Sequence, residues 1–574
     1  MFVKNDAHLQ QELFGIENQL SETKRKKLQR SKEAAFYNLI FANIDEHIFA
    51  PIYSTTGSRP NAPINALVAS IILQNHNGWT CEELFNRIDF DLLTRTALGL
   101  NTFDETPFCP ATFFNFQNRL SSYYGETGIN LFEFVFDRLT SEQLKKLKMK
   151  TNIQRMDSFQ ALSNIRSYSR VQLLIEVLLR LHRVLDDSDK QRCAELLNPY
   201  CTKTSSKFVY DLKRSDIPHE LQKLADVYHR LYQQLNETYG TVEVFHIFER
   251  VYTEHFTVVS ETIQVKDSKD VSSGSLQSPD DIDATFRQKH GEKNRGQVIN
   301  ISETAHPENE LNLLNDIAVE SNNTDDSTIL NKRIEPIKEK TPELEELHTD
   351  GAYGSSDNDE KMEEAEVTHV QTAVRGRTAA VSMVIDKNDI DDEEYVVSCP
   401  HQTVTAQKGN KRFKACFDNT ICQTCQQCND CPAIEQKSGV RVYYFDEDTA
   451  RQNKRIRNID SIPVERKGLR PNVEATVKEF SKGFNHKGKL RVRGKFRTMI
   501  FAFTMGIGIN FGRIYRYVME NAVNGDFRTA LAQFFAHVKG LLERLLGFSM
   551  QSVQIFKSRK RKMLLCQVLP KPTF

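Results

Sequence analysis

Apolar positions in the first 140 residues recur at helical spacing. The run Asn65 to Gln74 (NALVASIILQ) is apolar on nearly every side and predicts a helix broken at Asn77-Gly78. Thr80 and Glu83 then stand ahead of Leu84, Phe85 and Ile88. That is capping-box spacing, in which each side chain satisfies the other residue's free backbone N–H. Pro110 starts a third helix carrying Phe113, Phe114, Phe116 and Leu120. Short helices around a glycine turn fit a helix-turn-helix that docks on DNA, and equally fit three helices that simply pack together.

From residue 150 the period changes. KTNIQRMDSFQ (150–160) reads as a strand bearing Asp157. Val171 to Val184 is dense enough in apolar residues for a buried helix, helical patterns return at 217–236 and 242–256, and a polar loop covers 266–282. Strand-like segments follow at Gly296 to Ile301 and Leu313 to Val319. A short helix from Ser327 to Glu335 is expected to end at Pro336, with a second break at Pro342. Then come the strand-end motif LHTDGAYGS (347–355) and a strand from Thr368 to Val374. In GLRPNVEATVKEF, from Gly468 onward, Pro471 sits at a helix start and Glu474 falls in the first turns. Phe501 to Tyr517 reads as a core helix. Strands that later alternate with helices, plus a helical insertion after the first strand, indicate a multidomain α/β chain.

Charge adds a partner to this picture. The 574 residues hold 76 Lys and Arg against 76 Asp and Glu, but unevenly. Between Pro463 and Arg497, eleven cations face three glutamates, whereas Glu343 to Glu394 is dominated by acids. Opposed blocks suit a protein offering one basic face to a polyanion, although any single cluster could be ordinary solvated surface. Lys487 to Arg497 (KGKLRVRGKFR) alternates cations with apolar residues, and Gly488 and Gly494 permit close approach. It reads as a phosphate-tracking surface that includes Arg491, Arg493, Lys495 and Arg497; a basic edge strand is the plainer alternative. KSRKRK (557–562) is either a further DNA contact or a tail. The N-terminus lacks a signal pattern, and the apolar run Met499 to Phe511 is too short to span a bilayer. A cytoplasmic protein with no membrane partner is expected, its eleven cysteines thiols or metal ligands.

Asp157 and Asp350 each close an apolar strand-like segment, and strand ends are where sites assemble in open α/β sheets. Arg470, Glu474 and Lys478 would share one helix face, placing a carboxylate between two phosphate-binding cations. Such a trio of carboxylates can hold two Mg²⁺ or Mn²⁺ ions about 4 Å apart for in-line phosphodiester chemistry. An acidic residue at a strand end and a charged helix face are also common in proteins with no such chemistry.

MDSFQALSNIRSYSRVQLLIEVL, HTDGAYGS and LRPNVEATVKEF, in this order, resemble the DDE transposases of bacterial insertion sequences. PINALVASIILQNHNGWTCEELFNRIDFDLLTRTALGL resembles their helical N-terminal domain, so the likeness runs from about residue 40 to 520. The resemblance implies a ribonuclease-H-like mixed sheet flanked by helices, with Asp157, Asp350 and Glu474 as catalytic metal ligands and Tyr353 beside them. It implies cleavage at element ends, joining of 3′ hydroxyls to target DNA, binding of terminal inverted repeats, a dimer on DNA, and a bacterial, nucleoid-associated setting. Arg470 and Glu474 match the family's Tyr-Arg-Glu-Lys pattern, but Lys467 stands at the Tyr position and Lys482 falls one residue late. DNA contacts by Lys478 and Lys482 are expected from charge. The implied layout is a helical DNA-binding domain (1–145), a catalytic core (146–165, 265–398 and 460–525), a helical insertion (166–264), a Cys-rich insertion (399–459) and a basic helical tail (526–574). A DNA-binding regulator or relic that keeps the fold without the chemistry is the competing reading.

The Cys-rich insertion holds Cys399, Cys416, Cys422, Cys425, Cys428 and Cys431, three of whose steps are C-x2-C. Structural Zn²⁺, an iron–sulfur cluster and unmetallated thiols all remain open, as does the choice among the six.

Overall fold

A polar cap and a left-handed glycine divide two helices that follow three shorter ones between residues 16 and 39 in the computed structural model, which describes residues 1–9, 15–57, 59–102, 106–259, 262–289, 291–372, 383–387 and 394–523. The proposed tail at 526–574, KSRKRK at 557–562 and the end of the strand expected to reach Val374 lie outside those residues. Helix α1 (Ile64–Asn77) ends on Gly78 at φ 67°, a conformation that costs glycine nothing. The capping box of α2 (Cys81–Phe90) forms between Thr80 and Glu83 as its spacing predicts. Helices α3 (Pro110–Thr127) and α4 (Leu131–Lys146) complete this N-terminal layer.

Strand β1 (Ile153–Leu162) then leads into an insertion with its own core. It contains α5 (Arg170–Val184), α6 (Ile217–Tyr239), α7 (Glu243–His255) and the hairpin β2 (Phe256–Val259) and β3 (Thr262–Val265). The main sheet resumes with β4 (Thr285–Lys289), β5 (Glu292–Thr304), β6 (Leu314–Ser321), helix α8 (Asp326–Lys340), β7 (Glu346–Thr349) and β8 (Thr368–Gln371). Its order is β4-β5-β1-β7-β8, with β6 also pairing β5. β5 is antiparallel to β1 and β6, whereas β1, β7 and β8 run parallel. The chain is thus a mixed α/β protein with a helical N-terminal region.

Helix α8 passes through Pro336, where the sequence predicts a stop. An interior proline costs a helix about 3 kcal/mol. Here Ile334 and Ile337 on either side are fully buried with Leu330, Leu344, Leu347 and Met156 beneath the sheet, and that burial outweighs the lost bond. The helix ends instead at Thr341, ahead of Pro342.

A second sheet of order β13-β14-β12-β11-β10-β9 follows, all antiparallel. Its strands are β9 (Val384–Lys387), β10 (Tyr395–Ser398), β11 (Thr403–Lys408), β12 (Phe413–Phe417), β13 (Ile434–Glu435) and β14 (Arg441–Phe445). Helix α9 (Glu447–Ser461) leads back to the main sheet, where α10 (Val473–Ser481) and the long α11 (Lys495–Val523) pack.

Helix α11 is the axle of the molecule, lying between the N-terminal helices and the sheet. Its glycines make this possible. A Cβ on Gly506 would come within 2.4 Å of Ile317, and one on Gly508 within 2.5 Å of His76. One hydrophobic core therefore runs from α1 and α4 through α11 into β5 and β6. Two buried ion networks fix its registry. Asp316 of β6, fully buried, pairs with Arg333 (2.5 Å) and Lys340 (2.9 Å) of α8, and Lys340 reaches Asp137 of α4 (2.8 Å). Glu303 of β5, also fully buried, pairs with Arg155 of β1 (2.7 Å) and Arg513 of α11 (2.6 Å). Glu303→Ala strands two buried guanidinium groups, so it should destabilise the fold by about 3–5 kcal/mol in urea unfolding. A loss within experimental error of zero would show that the network holds nothing in place.

Candidate active site

Parallel pairing of β1 with β7 sets Arg155 opposite His348. Asp157 and Asp350 each lie two residues further on, so two strands in step deliver two carboxylates to the same level. Asp350 follows the last residue of β7. Asp157 instead lies midway along β1, which runs on to Leu162 against β5, rather than closing its strand as the sequence suggests. Asp350 leaves its strand as the cap of the turn Gly351–Tyr353, its Oδ1 accepting the Ala352 N–H at 2.7 Å. Glu474 arrives on the first turn of α10.

The three carboxylates share one cation. Arg470 Nη2 lies 2.8 Å from Asp157 Oδ2 and 3.9 Å from Asp350 Oδ2, and its Nη1 lies 3.5 Å from Glu474 Oε1. The sequence predicts Arg470, Glu474 and Lys478 on one helix face; instead Arg470 occupies a 3₁₀ turn (Arg470–Asn472) ahead of α10 and is drawn inward. Side-chain exposure rises from 10% at Asp157 through 32% at Asp350 to 69% at Glu474, which grades the site from floor to rim.

Burial pushes the Asp157 carboxyl above the usual aspartate range, and the Asp350 charge adds to this. Arg470 and the Ser158 N–H (2.9 Å) pull the other way by stabilising the anion. Tyr353 is fully buried next to this centre, and its hydroxyl accepts from Asn300 Nδ2 at 2.7 Å. Burial, reinforced by the charges of Asp326 and Asp157, holds its phenol well above its ordinary value and therefore neutral.

Helix α10 is held from behind by groups that the sequence did not single out. Thr476 donates to Glu303 (2.8 Å), Arg513 reaches Glu479 (2.8 Å), and Phe480 packs on Phe159. Arg155 donates to the Leu469 carbonyl at 3.0 Å, just before Arg470. Arg466 pairs with Glu346 of β7 (2.6 Å), which also holds His348 (2.5 Å). Charged residues set inside apolar segments, such as Arg513 within α11, were the available signal.

Lys478, Lys482, Arg491 and Arg497 are exposed. Arg493 and Lys495 are partly committed to the protein, through the Asn164 carbonyl (2.9 Å) and Glu320 (3.1 Å). Residues 487–494 form turns rather than an edge strand, seated on the end of β1 by the Leu490 N–H to Leu162 carbonyl bond (2.8 Å). Gly78 packs closely on the end of α10, where an added Cβ would stand 2.9 Å from the Lys482 carbonyl. The turn between α1 and α2 is thereby fixed beside the exposed cations.

Among the described residues, no group of three or more His, Cys, Asp or Glu side chains is arranged to hold a metal ion as it stands. The donors around Arg470 are hard carboxylate oxygens of the kind Mg²⁺ takes, but a guanidinium occupies the point they share. In the Cys-rich segment, Cys399 follows β10, Cys416 lies in β12, Cys422 lies in a short helix (Asn419–Gln423), and Cys425, Cys428 and Cys431 occupy the turns after it. All ten described cysteines are free thiols.

Residues 24–119 match the family model described as a transposase domain (DUF772), which takes in α1, α2 and the start of α3. No curated protein and no solved structure matches the chain. Among the described residues no helix is long and apolar enough to cross a membrane.

If Arg470 is the counterion that keeps Asp157 charged in its buried position, the two substitutions must couple. Arg470→Leu should cost about 2 kcal/mol in wild type and much less in an Asp157→Asn background, read from a double-mutant cycle of urea unfolding. Additive effects would refute the pairing.

Proposed function

We propose that this chain is a transposase that cuts DNA at the ends of its own element and joins the 3′ hydroxyls to target DNA, with Asp157, Asp350 and Glu474 as the catalytic carboxylates. One observation carries the reading: acidic groups from three distant segments meet at a single guanidinium, where β7 ends beside the middle of β1. The transposase-domain match over residues 24–119 supports it independently. The sheet order also favours a ribonuclease-H-like core, since the first strand sits between the second and fourth and only the second, β5, opposes it among β1, β5, β6, β7 and β8.

Asp157, Asp350 and Glu474 would hold two Mg²⁺ or Mn²⁺ ions, which when bound activate the attacking oxygen and stabilise the leaving one. The chain's own residues do the rest. Buried Asp157 and its strand neighbour Asp350 form a rigid floor, and Glu474 closes the rim from α10. Arg470 neutralises the three acids and offers a forked donor to a scissile phosphate. Lys478, Lys482, Arg491 and Arg497 line the approach and attract the DNA backbone without reading its sequence, while Arg493 and Lys495 lend charge from fixed positions. Residues 1–145 bind the terminal inverted repeats, and their shared core with the sheet sets the distance from bound end to cutting site. Two such ends brought together call for a dimer on DNA.

With Mg²⁺ or Mn²⁺ and DNA carrying the terminal repeats, the purified chain should nick and join. Asp157→Ala, Asp350→Ala or Glu474→Ala should each reduce both steps by about 10³-fold or more, with end binding preserved in gel shifts. Cleavage at wild-type rates in any of the three would defeat the assignment, and a wild-type chain that binds ends but never cuts would point to a regulator.

A further inference from the structure

The Cys-rich segment presents a folding problem. Between Asn419 and Gln436 its only apolar side chains besides the cysteines are Ile421, Pro432, Ala433 and Ile434, and both isoleucines are exposed. A stretch so poor in core needs another staple, and its thiols form no disulfide.

The six cysteines are not equivalent. Cys399, Cys422 and Cys431 pack against the same small apolar cluster of the second sheet. Cys416 alternates with Ala415 and Phe417 along β12 and so faces away from that cluster. Gln402 joins two of the first three: its backbone N–H donates to Cys399 Sγ (3.3 Å) and its Nε2 to Cys422 Sγ (3.4 Å). The same amide is anchored at Asp418, the cap of the short helix that carries Cys422. Arg441 links a fourth cysteine to the set, because it lies within electrostatic reach of Cys422 and donates to the Cys428 carbonyl at 2.8 Å. Its Nε is buried without a hydrogen-bond partner, an unspent donor beside the thiols.

We propose that Cys399, Cys422, Cys428 and Cys431 form a structural tetrathiolate zinc site, with Gln402 and Arg441 as its outer supports. Zinc favours four thiolates in a tetrahedron, and N–H donors to sulfur together with a nearby cation stabilise the resulting negative charge. On loading, four S–H bonds are exchanged for four Zn–S bonds, and the four protons pass to solvent. The sulfurs do not yet meet at one point among the described residues. Metal loading would draw the four sulfurs together, and the C-x2-C spacing of Cys428 and Cys431 suits such a site. The site is independent of the catalytic reading and staples the insertion rather than taking part in chemistry.

The test is metal analysis of the full chain purified under reducing conditions. Wild type should carry about one zinc per chain, and Co²⁺ exchange should produce the visible bands of a tetrahedral thiolate site. Cys399→Ser, Cys422→Ser, Cys428→Ser and Cys431→Ser should each lose the metal, whereas Cys416→Ser and Cys425→Ser keep it. Mercurial titration of wild type, which requires no variant to fold, should release that zinc in step with thiol modification. A wild-type chain free of zinc, one that holds iron and acid-labile sulfide instead, or full zinc retention by a Cys399→Ser/Cys422→Ser variant would overturn the proposal.

Discussion

A single guanidinium set among three carboxylates is the constraint on which the remaining structure depends. Asp157 is held in a nearly dry position where an unpaired anion would be costly, and Arg470 offsets that cost at 2.8 Å. The same cation lies within 4 Å of Asp350 and Glu474, so mutual repulsion among the three acids is relieved before any other ligand arrives. Arg470 can do this only because the chain just before α10 turns tightly and aims it inward.

Everything behind the site serves to hold that turn. Arg155 grips the carbonyl beside Arg470, Glu303 grips Arg155 and Thr476, and Arg513 joins Glu303 to Glu479. These contacts tie β1, β5, α10 and α11 together, and α11 carries the tie into the N-terminal helices through Gly506 and Gly508. The region that matches a transposase domain and the carboxylate cluster are therefore parts of one packed body rather than two domains on a linker.

Much of this was legible in the sequence wherever local chemistry decides the outcome. The Thr80–Glu83 cap, the strand ending in Asp350 and the first-turn position of Glu474 follow from spacing alone. What escaped was set by distant packing. Pro336 reads as a helix stop, yet Ile334 and Ile337 carry α8 through it. Gly506 and Gly508 lie within the apolar run Met499 to Phe511 with nothing local to mark them, although they are the points where α11 meets a strand and His76. Helical spacing put Arg470 on an outward DNA-facing stripe; a 3₁₀ turn and the pull of Asp157 place it inside.

On the proposed metal-binding reading, Arg470 and divalent ions would compete for the same oxygens, and calorimetric titration with Mn²⁺ in the absence of DNA tests this most directly. The account predicts that Arg470→Gln binds Mn²⁺ about tenfold more tightly than wild type, a gain of about 1.4 kcal/mol, and that Asp350→Ala loses the binding. Equal affinity for Mn²⁺ in wild type, Arg470→Gln and Asp350→Ala would contradict it.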